Sequence, residues 1–379
     1  MRALSRIDTS LLARWWWSVD RVTVALVALI VTTGFVVLIA AGPGAASRLR
    51  IADSFHFPVR QLVFLGPALG LMLAVSLLSP LQARRVGAIV FGAALALMLL
   101  ALFVAPEVNG ARRWFSLGSF NLQPSEFAKP GFVVIAAWML AEGARSPRFP
   151  GAVIAGGLFA ALATLLVLQP DYGQAALVAA VWMLMFFVVG WNLAWIAALG
   201  AAAGGVLTAG YFFSPHLAKR LDGFLNPQSA ETYQVDKALE AIANGGFIGR
   251  GGEGANVKMQ LPDAHTDFIF AVAGEEGGFL LAFIILALFA ALAARILVKA
   301  SGLKSIFAQT AVAGLGAMIG LQSFINIAVN LRALPAKGMT LPFVSYGGSS
   351  LLATGLTLGL ILAFTRTPVG AARRKEIMP

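Results

Sequence analysis

Asp267 closes the stretch Leu-Pro-Asp-Ala-His-Thr-Asp at 261–267, and an apolar run follows it directly. A carboxylate in that place can take a proton from a hydroxyl nucleophile, or it can cap the helix that the apolar run predicts. His265 reads as a hydrogen-bonding loop residue. Glu126 and Lys129 follow Pro124, which suits the first turn of a helix. Three residues apart, they share one helical face within salt-bridge reach, and pairing is how charges persist at membrane depth. Arg112 and Arg113 are adjacent. Their planar forks suit phosphate oxygens, and lipid head groups or an acidic loop residue would also satisfy them. Asp171 sits in Gln-Pro-Asp-Tyr-Gly at 169–173, which is ordinary turn chemistry or a further carboxylate on the same cavity. Lys337 and Ser345 lie in the stretch 334–350, whose two prolines and three glycines imply irregular backbone near membrane depth. Such backbone is tolerated only under cover of protein or a wet cavity.

Other chemistries drop out. Cys is absent, which removes thiolate catalysis, disulfides and Cys-based metal centres. His56, His216 and His265 show no ligand spacing. Residues 249–254 fit G-x-G-x-x-G, but a dinucleotide fingerprint needs a strand before it and a βαβ unit around it. Neither is predicted, so exposed amides on a pliable backbone are the reading, and no nucleotide or organic cofactor is expected.

The elements that must position these residues are membrane helices. The chain has 379 residues, 59% hydrophobic and 12% charged, with mean hydropathy +0.83. A soluble domain is about 25% charged, and disorder needs far fewer apolar residues. With about 20 apolar residues per crossing, ten spans are predicted: 22–42, 59–79, 86–105, 126–142, 151–169, 173–190, 192–213, 266–294, 306–331 and 344–365. The expected fold is therefore all-α, a polytopic membrane protein forming one domain over 1–379. A long outer loop at about 214–265 joins the seventh and eighth helices. The formal charge of +11 does not imply nucleic acid, because the positives bracket apolar runs. Short segments rich in Lys and Arg stay inside, which places both termini on the cytoplasmic side. The first apolar run exceeds the 7–15 residues of a cleavable signal core, so a retained helix is expected, with Trp15, Trp16 and Trp17 as its interfacial anchor. No repeat of a transporter kind is evident. Segments 106–126, 214–265 and 332–343 then share the outer face, where any chemistry should lie.

The motifs GARRW, LQPSEFAKP, QPDYGQA, AHTDFIFAVAGEEGG and LPAKGMTLPFVSYGGSS, in this order across the spans, resemble the SEDS family. The last motif is closer to the FtsW branch than to the RodA branch. The resemblance implies a peptidoglycan glycosyltransferase of the bacterial inner membrane, concentrated at the division septum. Such an enzyme polymerises lipid II and releases undecaprenyl diphosphate. It implies a class B penicillin-binding protein (an FtsI-like transpeptidase), other divisome proteins and membrane lipids as partners. The family's essential carboxylate falls on Asp267. Arg112, Arg113, Glu126, Lys129, Asp171, Lys337 and Ser345 fall in the expected substrate site, and a divalent cation (Mg or Mn) is an expected companion. An inverting transfer would need a base and a met leaving group. A lipid II flippase and a non-catalytic division scaffold are the rival readings.

Overall fold

The computed structural model describes residues 10–367, apart from 109, 119, 147, 336–337 and most of 192–232. The expected seventh span, 192–213, and the opening of the long loop fall largely outside the described residues. Among the described residues, nine helices are long and apolar enough to cross a membrane. After a short helix α1 (Leu11–Ser18) come α2 (Arg21–Arg48), α3 (His56–Ser76) and α4 (Pro80–Val104). A small hairpin, β1 (Phe115–Leu117) and β2 (Phe120–Leu122), leads into α5 (Pro124–Arg145), α6 (Gly151–Leu168) and α7 (Tyr172–Val189). An amphipathic helix α8 (Tyr233–Gly245) precedes α9 (Ile269–Ser301), α10 (Ile306–Asn330) and α11 (Gly348–Thr365).

Local chemistry sets the helix ends. Ser79 and Gln82 form a reciprocal capping box at α4, with Pro80 in the first turn. Pro124 opens α5 as its position in the sequence predicts. The interior of the bundle is α10 and α11, whose spans are 78% and 89% buried against 22% for α6. The outer helices instead turn apolar side chains such as Val63, Ile89, Phe103 and Val153 outward, as lipid contact demands.

Three features differ from the sequence expectation. The hairpin, paired Phe115 to Leu122 and Leu117 to Phe120, is too short for alternation to announce. The expected span 266–294 is not one rod, and Glu275 and Glu276 do not lie inside a continuous crossing. Gly278 takes φ 65° and ψ −164°, which splits α9 into a short half, 269–277, and a long one. The freed amides of Phe279 and Leu280 donate to the carbonyls of Gly246 and Phe247 at 2.9 and 3.1 Å. The fully buried Glu275 accepts from the Asn244 side chain at 2.7 Å and from the amides of Val257 and Lys258 at 2.8 and 2.7 Å. Glu276 pairs with Lys258 and accepts from the Gly252 amide at 3.2 Å. The glycine-rich stretch therefore spends an amide on its own chain, and it follows a helix, not a strand.

The loop between α10 and α11 runs back into the bundle. Val344 packs so closely on Gly34, near the middle of α2, that a Cβ there would stand 2.7 Å from the Val344 Cα. At the opposite end of the molecule Asp20 caps α2 and accepts from Arg295 at 2.5 Å and Lys299 at 3.2 Å, which fixes the far end of α9. The Thr367 amide donates to the Ser18 carbonyl on that same end at 3.0 Å.

Candidate active site

A cavity of about 300 Å³ opens where the segment before α5, the loop before α9 and the loop before α11 meet. Hydrogen bonds between distant segments build it. The Ser349 hydroxyl donates to the Asn121 carbonyl at 2.6 Å and accepts from the Gln123 amide at 3.0 Å, which seals the hairpin to the start of α11. The Tyr346 amide donates to the His265 carbonyl at 2.9 Å. Ser345 does not line the cavity. It is buried, its hydroxyl donating to the Thr266 carbonyl at 2.6 Å and accepting from the Leu341 amide at 2.8 Å, and so it staples the last two loops together.

Asp267 lines the cavity at the mouth of the short half of α9. The turn before it pivots on Asp263, at φ 50°, whose carbonyl accepts from the Thr266 and Phe268 amides. Two carboxamides of α10 hold the Asp267 carbonyl, Asn326 at 2.9 Å and Asn330 at 3.0 Å. A helix cap is not the visible role of this region, because the N-cap position is Phe268 and carries no side-chain cap. The His265 ring lies 4.1 Å from that of Phe57 and 5.7 Å from that of Tyr346. Burial pushes its imidazole down to about 4, so it is neutral at physiological pH.

Glu126 reaches the cavity from the first turn of α5, and Lys129 stands behind it, 2% exposed. The ammonium donates to both Glu126 oxygens at 3.0 and 3.1 Å, to Gln174 at 2.8 Å and to Gln322 at 3.1 Å. Gln174 also donates to Glu126 at 3.0 Å. The pair is thus neutralised and fully bonded, as buried charges must be.

Arg113 lines the cavity and lies 3.5 Å from Asp171. The structure does not put Asp171 on the cavity as expected. It is buried behind Arg113, where it also accepts from Gln123 at 3.4 Å. Burial pushes its carboxyl up, while Arg113 and Lys129 pull it down. Arg112 points elsewhere, half-exposed and 3.7 Å from Glu107, the acidic loop residue that its charge can satisfy. Lys337 lies outside the described residues. Its neighbour Gly338 lines the cavity so near Asp267 that a Cβ there would stand 3.4 Å from Oδ2.

Sequence reasoning missed two things. Arg60, in the first turns of α3, lines the cavity and makes no ion pair with a described residue. It is a lone cation before an apolar run, so topology alone accounts for it in the sequence. Gln322, Asn326 and Asn330 recur every four residues along one face of the apolar α10. That spacing was the available signal. The cavity therefore sets two carboxylates, Asp267 and the Lys129-paired Glu126, on shared walls with two guanidinium groups, Arg60 and Arg113. It can hold an anionic group and deprotonate a neighbouring hydroxyl.

Comparison with known proteins bears on this chemistry. The family model described as cell cycle protein, covering FtsW, RodA and SpoVE, matches residues 20–368. A protein of Caulobacter vibrioides named probable peptidoglycan glycosyltransferase FtsW is 44% identical over 370 residues, 97% of this chain and 95% of that protein. A relative of the same name from Allochromatium vinosum is 36% identical over 321 residues, 82% of this chain and 80% of that one. Among solved structures, a chain from a study of the structural coordination of polymerization and crosslinking by a peptidoglycan synthase complex superposes with TM-score 0.76. It is 34% identical, over 92% of this chain and 98% of that one. The rod shape determining protein RodA of Thermus thermophilus superposes with TM-score 0.70. It is 32% identical, over 92% and 97% of the two chains.

Proposed function

Because this chain belongs to the FtsW, RodA and SpoVE family of cell cycle proteins, we propose that it is a peptidoglycan glycosyltransferase. It polymerises lipid II into glycan strands during division and releases undecaprenyl diphosphate. The observation that carries this is the cavity in which Asp267 shares walls with Arg60 and Arg113. A sugar hydroxyl of the acceptor attacks the anomeric carbon of the donor, and Asp267 takes its proton. The bond from that carbon to the diphosphate oxygen breaks, and the electron pair leaves on the diphosphate. Arg60 and Arg113 meet its charge in a partly dry site, where such contacts are strongest. A base without a covalent intermediate gives inversion.

The volume fits that division of labour. About 300 Å³ is the lower end for a small-ligand pocket, enough for the sugar joint and diphosphate. The lipid stays in the bilayer and the peptide in water. The cavity face is then the outer face of the inner membrane, both termini are cytoplasmic, and the protein works at the septum. A class B penicillin-binding protein is its proposed partner, a reading supported by likeness to a chain of a peptidoglycan synthase complex. A divalent cation remains a proposed companion of the diphosphate. Among the described residues no group of three His, Asp or Glu side chains is placed to hold it, and no step above runs through the ion.

The test is reconstitution of the purified chain with its partner transpeptidase, lipid II and Mg or Mn, scored by polymer length. The chain as it stands should give polymer, and Asp267→Asn should give none at equal amounts of folded protein. Polymer from Asp267→Asn would overturn the base assignment. Passage of lipid II across vesicles without any polymer would carry the flippase reading instead.

A further inference from the structure

We propose that Asn326 and Asn330 are positioning residues that set the place of Asp267 from the rigid interior helix α10, an inference that rests on Asp267 being the base. Both side-chain amides donate to the same oxygen, the Asp267 carbonyl, at 2.9 and 3.0 Å. Asn326 spends its other proton on the Met339 carbonyl at 2.7 Å, and Asn330 spends its own on the Asn326 carbonyl at 2.9 Å. Because these partners are all acceptors, the orientation of each amide is fixed by the network. The remaining oxygen of Asn330 accepts from the Ala271 amide at 3.1 Å. That amide belongs to the first turn of the short half of α9 and is shared with the Phe268 carbonyl, which it reaches at 3.0 Å.

The arrangement is not what packing alone would select. Asn326 is 2% exposed and Asn330 fully buried. The Asn326 Oδ1 has no hydrogen-bond partner among the described residues, and a buried unpaired acceptor costs about 1–3 kcal/mol. An apolar residue of the same branched shape would avoid that cost but lose both donations, leaving the Met339 carbonyl without this donor. One of those donations holds Asp267, and the other holds Met339, the neighbour of the glycine that lies against Oδ2. One turn away on the same face, Gln322 accepts from Lys129 at 3.1 Å and donates to the Thr340 carbonyl at 2.9 Å. A single helix face thus references both carboxylates of the cavity, Glu126 through Lys129 and Asp267 through its backbone. Catalytic groups keep their geometry when rigid elements hold them this way, and displacement by about 1 Å costs about a hundredfold in rate.

Asn326→Leu and Asn330→Leu, in the full chain with its partner, remove the donations while keeping the branched side-chain shape. In each, kcat for lipid II polymerisation should fall about tenfold while KM stays within about twofold. Together they should fall by more than the product of the single losses, since either amide alone still holds the carbonyl. Asn326→Leu removes the unpaired acceptor but takes the donor from the Met339 carbonyl, effects of like size, so its thermal unfolding midpoint in detergent should stay close to that of the parent while kcat falls. This is the outcome that a merely structural role does not give. Ser323→Ala, a buried polar loss on α10 whose hydroxyl donates to the Ile319 carbonyl of its own helix, should leave kcat unchanged. Full kcat in Asn326→Leu, with Asp267→Asn inactive, overturns the positioning role alone. Full activity of Asp267→Asn overturns the base reading beneath it. Should Asn330→Leu fail to assemble, Asn326→Leu decides.

Discussion

Glu126 is fixed through its carboxylate, which Lys129 and Gln174 engage. Asp267 is fixed through its backbone carbonyl. Holding a carboxylate by its main chain defines the place of its backbone from the interior helix α10. His265, two residues earlier, carries a measurable signature. Its imidazole is held neutral down to about 4 from an ordinary 6.5 because burial disfavours the cation. Between those values the unfolded chain binds a proton that the folded chain refuses, so stability falls as pH drops through that window. The full effect is about 3 kcal/mol. Thermal unfolding in detergent from pH 7.5 to 4.5 should show this decline, and His265→Phe should flatten it. At this scale the sequence made the Glu126–Lys129 pair and the opening Pro124 readable, because both lie within one helical turn. Arg60 and the α10 carboxamides were opaque. A single polar residue in an apolar run shows its chemistry only when the fold supplies the neighbour.

The short half of α9 is the element on which Asp267 rides, and loop 244–258 clamps it through Glu275 and Glu276. The clamp depends on backbone lying on backbone. Gly249, at φ 91°, has no room for a side chain, since a Cβ would stand 2.1 Å from the Glu276 carbonyl oxygen. Gly252 shares the left-handed backbone, at φ 54°, but has open space. Gly252→Ala should therefore cost about 1–2 kcal/mol, and Gly249→Ala clearly more. Thermal unfolding in detergent should rank them so, and polymerisation should fall with the second alone. The break at Gly278 was hidden in the sequence because Gly277-Gly278 in an apolar run also reads as close helix packing. The long loop's glycines were legible as pliable backbone but not as a cover for two glutamates, which lie beyond them in the chain.

Across the whole molecule, α2 is tied at one end to the loop before α9 and at the other to α9 itself. At the cavity end Arg48 donates to the Gln260 carbonyl, and Met259 packs against Gly44. At the far end Asp20 gathers Arg295 and Lys299. Burial alone would push the Asp20 carboxyl up, but hydrogen bonds from Arg295, Thr23 and Lys299 outweigh it and hold it well below its ordinary 3.8. Its stabilisation is complete above that value and is lost as pH falls toward the depressed one. Asp20→Asn should cost about 2 kcal/mol at neutral pH, with the gap from the parent closing only in strong acid, as unfolding at pH 7 and below pH 3 would show. Composition made the membrane class and the order of helices plain. It was silent on this tie, whose partners lie 275 residues apart. A cavity of about 300 Å³ has room for a single junction between sugars, and its described lining does not reach along a finished strand. An enzyme built around it adds the fortieth sugar as it adds the fourth, so the length of the product is a matter of when the strand lets go.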